Sequence, residues 1–356
     1  MSAIDRRKWI QSTATASLAL PWVLDAASAK PRIRIGQIGT KHPHAEGKMA
    51  AIRTLSDDYQ VVGVVEPDPR QRKKVESRDA YRGLTWLSEE ALLNASGLEA
   101  VAIETEVAQL VPTGKRVLEA GMHIHLDKPG GASLPAFQEL LQISMRQKRT
   151  VQMGYMLRYN PAFELMFRAV REGWLGEVME IDAMMGKLAN DGLREELGRF
   201  SGGGMFELAG HLIDSVVYLM GAPDRVTPYT RRTQNDGVAD NQMAVFEYPR
   251  ATAVVRCNHR DPFGFPRRRF QVSGDKGSLE IQPIESGEIT LSLSESRGTF
   301  KKGTQRISLQ RRGGRYDGEF ADLARVIRGE KAFAWSPEHD LRTHEAILRA
   351  AEMPLD

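Results

Sequence analysis

Apolar positions fall into two regimes along the chain. Up to about residue 154 they come as short, near-continuous runs: Ile33, Ile35 and Ile38, then 61–65, 100–103, 123–126 and 150–154. Such runs suit parallel strands covered on both faces, where no polar alternation is required. Between them, 45–55 carries Met49, Ile52 and Leu55 at helical spacing, and 91–93 and 114–119 read as further helical segments. Strand, turn, helix and strand in that order, with Gly39-Thr40 in the first turn and Glu66-Pro67-Asp68 ending the second strand, predict the opening βαβ of a Rossmann-type α/β domain.

After Arg158 the pattern changes. One helix is expected over 161–171, ended by Glu172-Gly173, followed by strand-like runs at 178–184, 242–246, 252–257, 268–272 and 277–281. Polar turns separate them, so this half reads as an α+β domain with a mostly antiparallel open sheet. A helix over 205–219 and two closing helices, 319–327 and 340–351, complete the set. The expected boundaries are 1–29 for an export segment, 30–155 for the first domain and 156–356 for the second.

Composition narrows the function. The 356 residues, 41% hydrophobic and 27% charged, supply apolar material for two cores. A net charge of +3 is too small for a basic binding surface, which argues against a nucleic-acid partner. Cys257 is the single cysteine, so neither an intramolecular disulfide nor a multi-cysteine zinc site exists. It reads as a packed strand residue; its neighbours show no pattern tied to thiol chemistry.

Residues 1–29 read as an address. Arg6-Arg7-Lys8 precede an Ala-, Ser- and Leu-rich stretch and the small-x-small pattern Ala27-Ser28-Ala29. The paired arginines resemble a twin-arginine export signal, with Asp5 where Ser or Thr is common. A periplasmic protein starting near Lys30 is expected, or a tethered one if the signal is retained. No other segment is long and apolar enough for an integral span.

The turn after the first strand must let backbone N–H groups approach a pyrophosphate. Gly39 can serve as the first glycine of that fingerprint, but Lys41 and His44 stand where the second and third belong. Lys41 and nearby N–H groups, with Thr40 and His42, either still receive phosphate or form a plain turn that has lost its nucleotide. Glu66 suits both ribose hydroxyls and repels a 2′-phosphate, favouring NAD over NADP; it also reads as a solvated turn acid. The pairs His42/His44 and His123/His125 have spacing that could place two metal ligands together, yet no third ligand is visible, and no metal is expected.

With Gly39, Glu66, Asp127-Lys128-Pro129, 156–161 (Met-Leu-Arg-Tyr-Asn-Pro), Gly202-Gly203-Gly204, Glu207 and 211–214 (His-Leu-Ile-Asp), the chain resembles the Gfo/Idh/MocA oxidoreductases. The likeness spans nearly all of the chain beyond residue 30. It implies that Lys128 sits beside the nicotinamide before a cis proline peptide, that His211 with Glu207 forms the catalytic pair, and that a homo-oligomer forms through the second domain's sheet. Glu207 is one methylene longer than the family's usual Asp. Thr105-Glu106 replaces a common Pro-His near the nicotinamide.

Glu207, His211 and Asp214 are spaced i, i+4 and i+7, which on one helix puts all three on one face. Carboxylates flanking an imidazole would raise its proton affinity and suit it to take a hydroxyl proton. Arg158, Tyr159 and Asn160 are expected to contact substrate or cofactor; Asp214 reads equally as structural. The resulting expectation is NAD-dependent oxidation of a secondary alcohol on a sugar or cyclitol, with the cofactor tightly held. Redox-neutral, NAD-dependent glycoside cleavage and cofactor-free sugar binding are the alternatives.

Overall fold

In a computed structural model, residues 30–310 and 313–356 are described. The expected export segment, 1–29, lies outside them. Five of the apolar runs form a parallel sheet: β1 (Ile33–Ile38), β2 (Tyr59–Val65), β3 (Ala100–Ile103), β4 (His123–Leu126) and β5 (Val151–Met153), in the order β2-β1-β3-β4-β5. β3 is buried at every position, as its unbroken Ala-Val-Ala-Ile predicts. Helices Ala45–Thr54, Val107–Glu119 and Leu134–Gln147 alternate with the strands. The last starts at Leu134, with Pro135 in its first turn, behind a Ser133 cap whose hydroxyl accepts the Ala136 N–H.

The second sheet has eight strands: β6 (Val178–Gly186), β7 (Arg225–Arg231), β8 (Asn241–Tyr248), β9 (Ala251–Asn258), β10 (Arg269–Gly274), β11 (Gly277–Ile281), β12 (Glu288–Leu293) and β13 (Gly303–Ser308). Their order is β13-β12-β11-β10-β6-β9-β8-β7, and only the β6–β9 pair is parallel. The mostly antiparallel expectation holds. β7, β12 and β13 lay outside the expected strands because polar residues interrupt their apolar pattern. β7 and β13 are edges, and an edge tolerates Pro228 within β7.

Two features position the site. The parallel β6–β9 register pairs Gly186 with Asn258, so Lys187 and His259 leave the sheet side by side. The expected helix over 205–219 is two helices, Gly203–Glu207 and Gly210–Met220. The Gly204 carbonyl takes both the Leu208 and Ala209 N–H groups, closing the first helix before the second begins at Gly210. Glu207 and His211 therefore belong to different helices, and the shared-face argument fails. Among the described residues no helix is long and apolar enough to cross a membrane.

Candidate active site

The C-terminal ends of β1, β2 and β3 open onto a cavity of about 400 Å³ lined by Gly39, Lys41, Glu66, Thr105, Glu106 and Arg116, among others. Such a crevice at strand C-termini is where open α/β sheets bind ligands. Gly39 is at φ +88°, and a Cβ there would lie 2.6 Å from the Thr105 amide nitrogen. Only glycine fits a turn that crosses the next strand's backbone so closely.

Glu66 stands at the end of β2 as expected, but its carboxylate already serves its own loop. Its Oε2 accepts from the Thr40 N–H at 2.9 Å and the Thr40 hydroxyl at 2.7 Å, and its Oε1 from the Asp68 N–H at 3.1 Å. Lys41 reaches across the cavity mouth, its Nζ 3.5 Å from Asp68 and 3.6 Å from Glu106. Glycine floor, acidic lip and lysine fit the adenosine end of a dinucleotide. The missing second and third glycines leave the pyrophosphate end to Lys41 and the loop amides.

His42, expected at the cofactor loop, turns inward instead and is absent from the cavity lining. Its Nε2 donates to the Lys128 carbonyl at 3.2 Å, and its Nδ1 lies 3.0 Å from Asp127. His44 follows, its Nδ1 3.0 Å from the same Asp127 oxygen. Asp127 is thus the third group that sequence spacing did not reveal. Burial opposes its ionisation, but His42, His44 and Lys48 outweigh that and hold its carboxyl well below the usual range. Burial and the Asp127 charge push neighbouring Glu104 well above it.

Lys128 lies two residues past the end of β4 and precedes a cis peptide to Pro129, as the family resemblance implies. Its Nζ donates to the Glu207 carbonyl at 2.5 Å and lies 3.5 Å from the Glu207 carboxylate. Lys187, at 3.4 Å, and His259, at 3.5 Å, approach the other carboxylate oxygen. Burial opposes ionisation of Glu207 too, yet Lys128, His259 and Lys187 together hold its carboxyl well below the ordinary value. Sequence reasoning missed Lys187 and His259. Their signal was positional, each standing just past the end of a strand, but the β6–β9 pairing that unites them is not written in either strand.

His211 is 2% exposed and its Nδ1 has no hydrogen-bond partner. Among the described residues no carboxylate pairs with it, contrary to the one-face expectation. Burial first, then the Lys128 charge, pushes its pKa well below 6.5, so it stands as a neutral imidazole at neutral pH. Its ring meets Tyr155 edge-on at 6.0 Å.

The residues expected to touch substrate form a buried clamp behind this site. The Arg158 guanidinium grips Asp214 through Nε at 3.0 Å and Nη2 at 2.7 Å, and Asp340 through Nη2 at 2.5 Å. It also lies over the Trp335 ring at 4.2 Å. Tyr159 donates its hydroxyl to Asp322, while Asn160 caps the helix Pro161–Arg171 by accepting the Ala162 N–H and donates to the Ile284 carbonyl. Asp214 is fully buried and also meets His339 at 2.9 Å. These contacts tie Arg158, Asn160 and Asp214 into the fold, while Arg158 Nη1 and Asp340 Oδ2 have no hydrogen-bond partner among the described residues, and Arg158 and Tyr159 line a second cavity of about 540 Å³. Cys257 is buried in β9 as expected, its thiol pushed up to about 12 by burial and the Glu207 charge, which leaves it inert.

Two family models match the chain: an oxidoreductase family with an NAD-binding Rossmann fold over residues 33–155, and a GFO/IDH/MocA C-terminal domain over residues 163–280. The oxidoreductase YhhX of Escherichia coli K12 is 26% identical over 232 residues, covering 63% of this chain and 65% of that one, so the match spans just under two thirds of that relative. An inositol 2-dehydrogenase/D-chiro-inositol 3-dehydrogenase of Lactiplantibacillus plantarum is 23% identical over 333 residues, 89% of each chain. The solved WlbA dehydrogenase of Chromobacterium violaceum, in complex with NADH and UDP-GlcNAcA, superposes with a TM-score of 0.76 at 19% identity over 91% of this chain and 97% of that one. At that identity the likeness is one of fold.

Proposed function

The chain belongs to the Gfo/Idh/MocA family of NAD-binding oxidoreductases, and from that premise we propose that it oxidises a secondary alcohol of a sugar, cyclitol or sugar derivative. The observation that carries this reading is the juxtaposition of a buried ammonium, Lys128, with a neutral, unpartnered imidazole, His211. NAD, when bound, supplies the hydride acceptor. His211 takes the hydroxyl proton on its free Nδ1, and the Lys128 ammonium donates to the same oxygen as negative charge develops there. Glu207, held by Lys128, Lys187 and His259, keeps the Lys128 ammonium aimed.

The acidic lip of Glu66, Glu89 and Glu106 around the cavity, two of them paired with Arg116 and Lys41, supports NAD over NADP. A cofactor held through turnover, export by the 1–29 segment and self-association through the open face of the eight-stranded sheet complete the proposal. The relatives named above act on, or are bound to, inositol and a nucleotide sugar, which supports a polyhydroxylated substrate.

A panel of sugars, cyclitols and sugar nucleotides incubated with the protein and NAD tests the reading. The expected result is a keto product with reduced cofactor, lost in Lys128→Ala and His211→Ala. New reducing ends without net reduced cofactor would replace it with redox-neutral cleavage. Binding with no chemistry would leave only sugar recognition.

A further inference from the structure

We propose that His42, His44 and Asp127, with Glu104 beside them, form a binding site for one divalent transition-metal ion of the zinc class. The three donor atoms lie within 4.8 Å of one another. The Nδ1 atoms of both imidazoles stand 3.0 Å from a single oxygen, Asp127 Oδ2. Donors so spaced can each lie about 2.0–2.2 Å from one ion.

The hydrogen-bond pattern around His42 calls for a cation there. A carbonyl only accepts, so the Lys128 carbonyl at 3.2 Å places the His42 proton on Nε2. The backbone N–H of His44 points at His42 Nδ1 from 3.3 Å, which requires a lone pair on that nitrogen. Nδ1 also lies 3.0 Å from a carboxylate oxygen, and a metal ion between the two would take that lone pair in place of the long 3.3 Å N–H contact and turn the pair into coordination. A ligating histidine whose other nitrogen donates to a backbone carbonyl is the outer-shell arrangement that fixes such a ligand.

A second observation is independent of the first. Glu104 is 0% exposed, and neither of its carboxylate oxygens has a hydrogen-bond donor among the described residues; Oε2 lies 3.8 Å from His42 Nδ1. Glu104 and Asp127 thus place two fully buried carboxyls side by side. Lys48, the ammonium beneath them, is engaged by Glu319 at 2.6 Å, and Lys128 by Glu207. Glu104, a buried carboxyl with no hydrogen-bond partner among the described residues and set against two imidazoles and a second carboxyl, is the kind of group that proteins use to hold a metal ion. Two imidazoles and carboxylate oxygen suit zinc, and also cobalt, iron or manganese in the divalent state. The other three-residue cluster, Asp214, His339 and Asp340, already holds the Arg158 guanidinium.

The ion would sit next to Lys128 without being bound by it. Asp127 Oδ1 accepts the Lys128 backbone N–H at 2.7 Å and His42 holds the Lys128 carbonyl, so both flanks of the Lys128 peptide are tied to ligands.

Titration of the chelator-treated full chain with zinc and with cobalt, read by calorimetry, visible absorbance and thermal unfolding, tests the site without any enzyme assay. The expected result is about one ion per chain, a cobalt spectrum of nitrogen–oxygen ligation and a raised Tm. His44→Ala, whose side chain is partly exposed, should fold and bind about 100-fold more weakly, the upper end of what loss of even an outer-shell partner costs. His123→Gln, the other strand-side histidine pair's outer member, should bind as the parent does. No binding by the parent chain, or equal binding by a folded His44→Ala, overturns the proposal and leaves a proton shared among His42, Asp127 and Glu104.

Discussion

Two charge clusters, one around Arg158 and one around Glu207, are built differently. Around Arg158 the contacts are short and bidentate: 2.5 to 3.0 Å to Asp214 and Asp340, with Trp335 covering the guanidinium. Around Glu207 the contacts are longer, 3.4 to 3.5 Å from Lys128, Lys187 and His259, and its Oε2 lacks a hydrogen-bond donor. The first is a clamp among the turn Met156–Tyr159 and helices Gly210–Met220 and Pro337–Ala350, with Arg158 Nη1 and Asp340 Oδ2 left without a partner among the described residues. The second keeps free hydrogen-bonding capacity, which a polyhydroxylated ligand can use. Both networks hold an unpartnered atom, so the contrast lies in contact length and exposure: short, bidentate, buried pairs rigidify a fold, whereas longer, partly exposed ones can exchange partners with a ligand.

The sharpest way to break this comparison is Arg158→Ala. Removing one partner strands Asp214 and Asp340 in the interior, and the expected loss is about 3–5 kcal/mol of stability, read by denaturant unfolding. Lys128→Ala should cost less stability, since Lys187 and His259 still pair with Glu207, while lowering turnover by about 10²–10³, as loss of a donor to a developing oxyanion does. If both variants lost stability alike, the distinction between clamp and site would fail.

The pH dependence sharpens it further. His211 is held well below 6.5, so kcat/KM should show no inflection near 6.5 and stay flat as pH falls through that value. An acid limb at 6.5 would mean that the imidazole titrates normally. Buried histidines also shape stability. Burial lowers His344 to about 3, so its folded form stays neutral while the unfolded chain takes up a proton below about 6.5. Its contribution is full above that pH and is lost as pH falls toward 3. His344→Gln should make the stability-versus-pH curve shallower there by about 1.4 kcal/mol per pH unit. The smallest effect belongs to Asn160→Ala, which removes a helix cap and should cost about 1–2 kcal/mol with turnover on the identified substrate unchanged.

The parallel sheet was legible because each buried strand is a short apolar run, as in Ala100–Ile103, and the closing helices because Phe320, Leu323, Ile347 and Leu348 keep helical spacing. Edge strands such as Gly303–Ser308 were not, because an edge buries little and needs little apolar pattern. At the site, Lys128 was legible from its place before Pro129 at a strand end. The grouping of Glu207 with His211 was not, since i, i+4 spacing assumes an unbroken helix and the chain breaks at Leu208. Arg158 and Asn160 look like binding residues in sequence because they are polar and clustered. Their partners, Asp340 and the Ile284 carbonyl, lie more than a hundred residues away and only the fold brings them in. Asp127 as a partner of His42 and His44 was hidden for the same reason.

All of this rests on a dinucleotide occupying the crevice above Gly39. The most direct test is to denature the purified protein, quantify released NAD(H) by mass spectrometry and absorbance, and titrate NAD and NADP into the emptied chain. The account predicts release or saturable binding of NAD at about one per chain, tighter than NADP. A chain that releases no nicotinamide nucleotide and binds neither form would contradict it, and would mean that Lys41 and His44 have closed the loop to pyrophosphate.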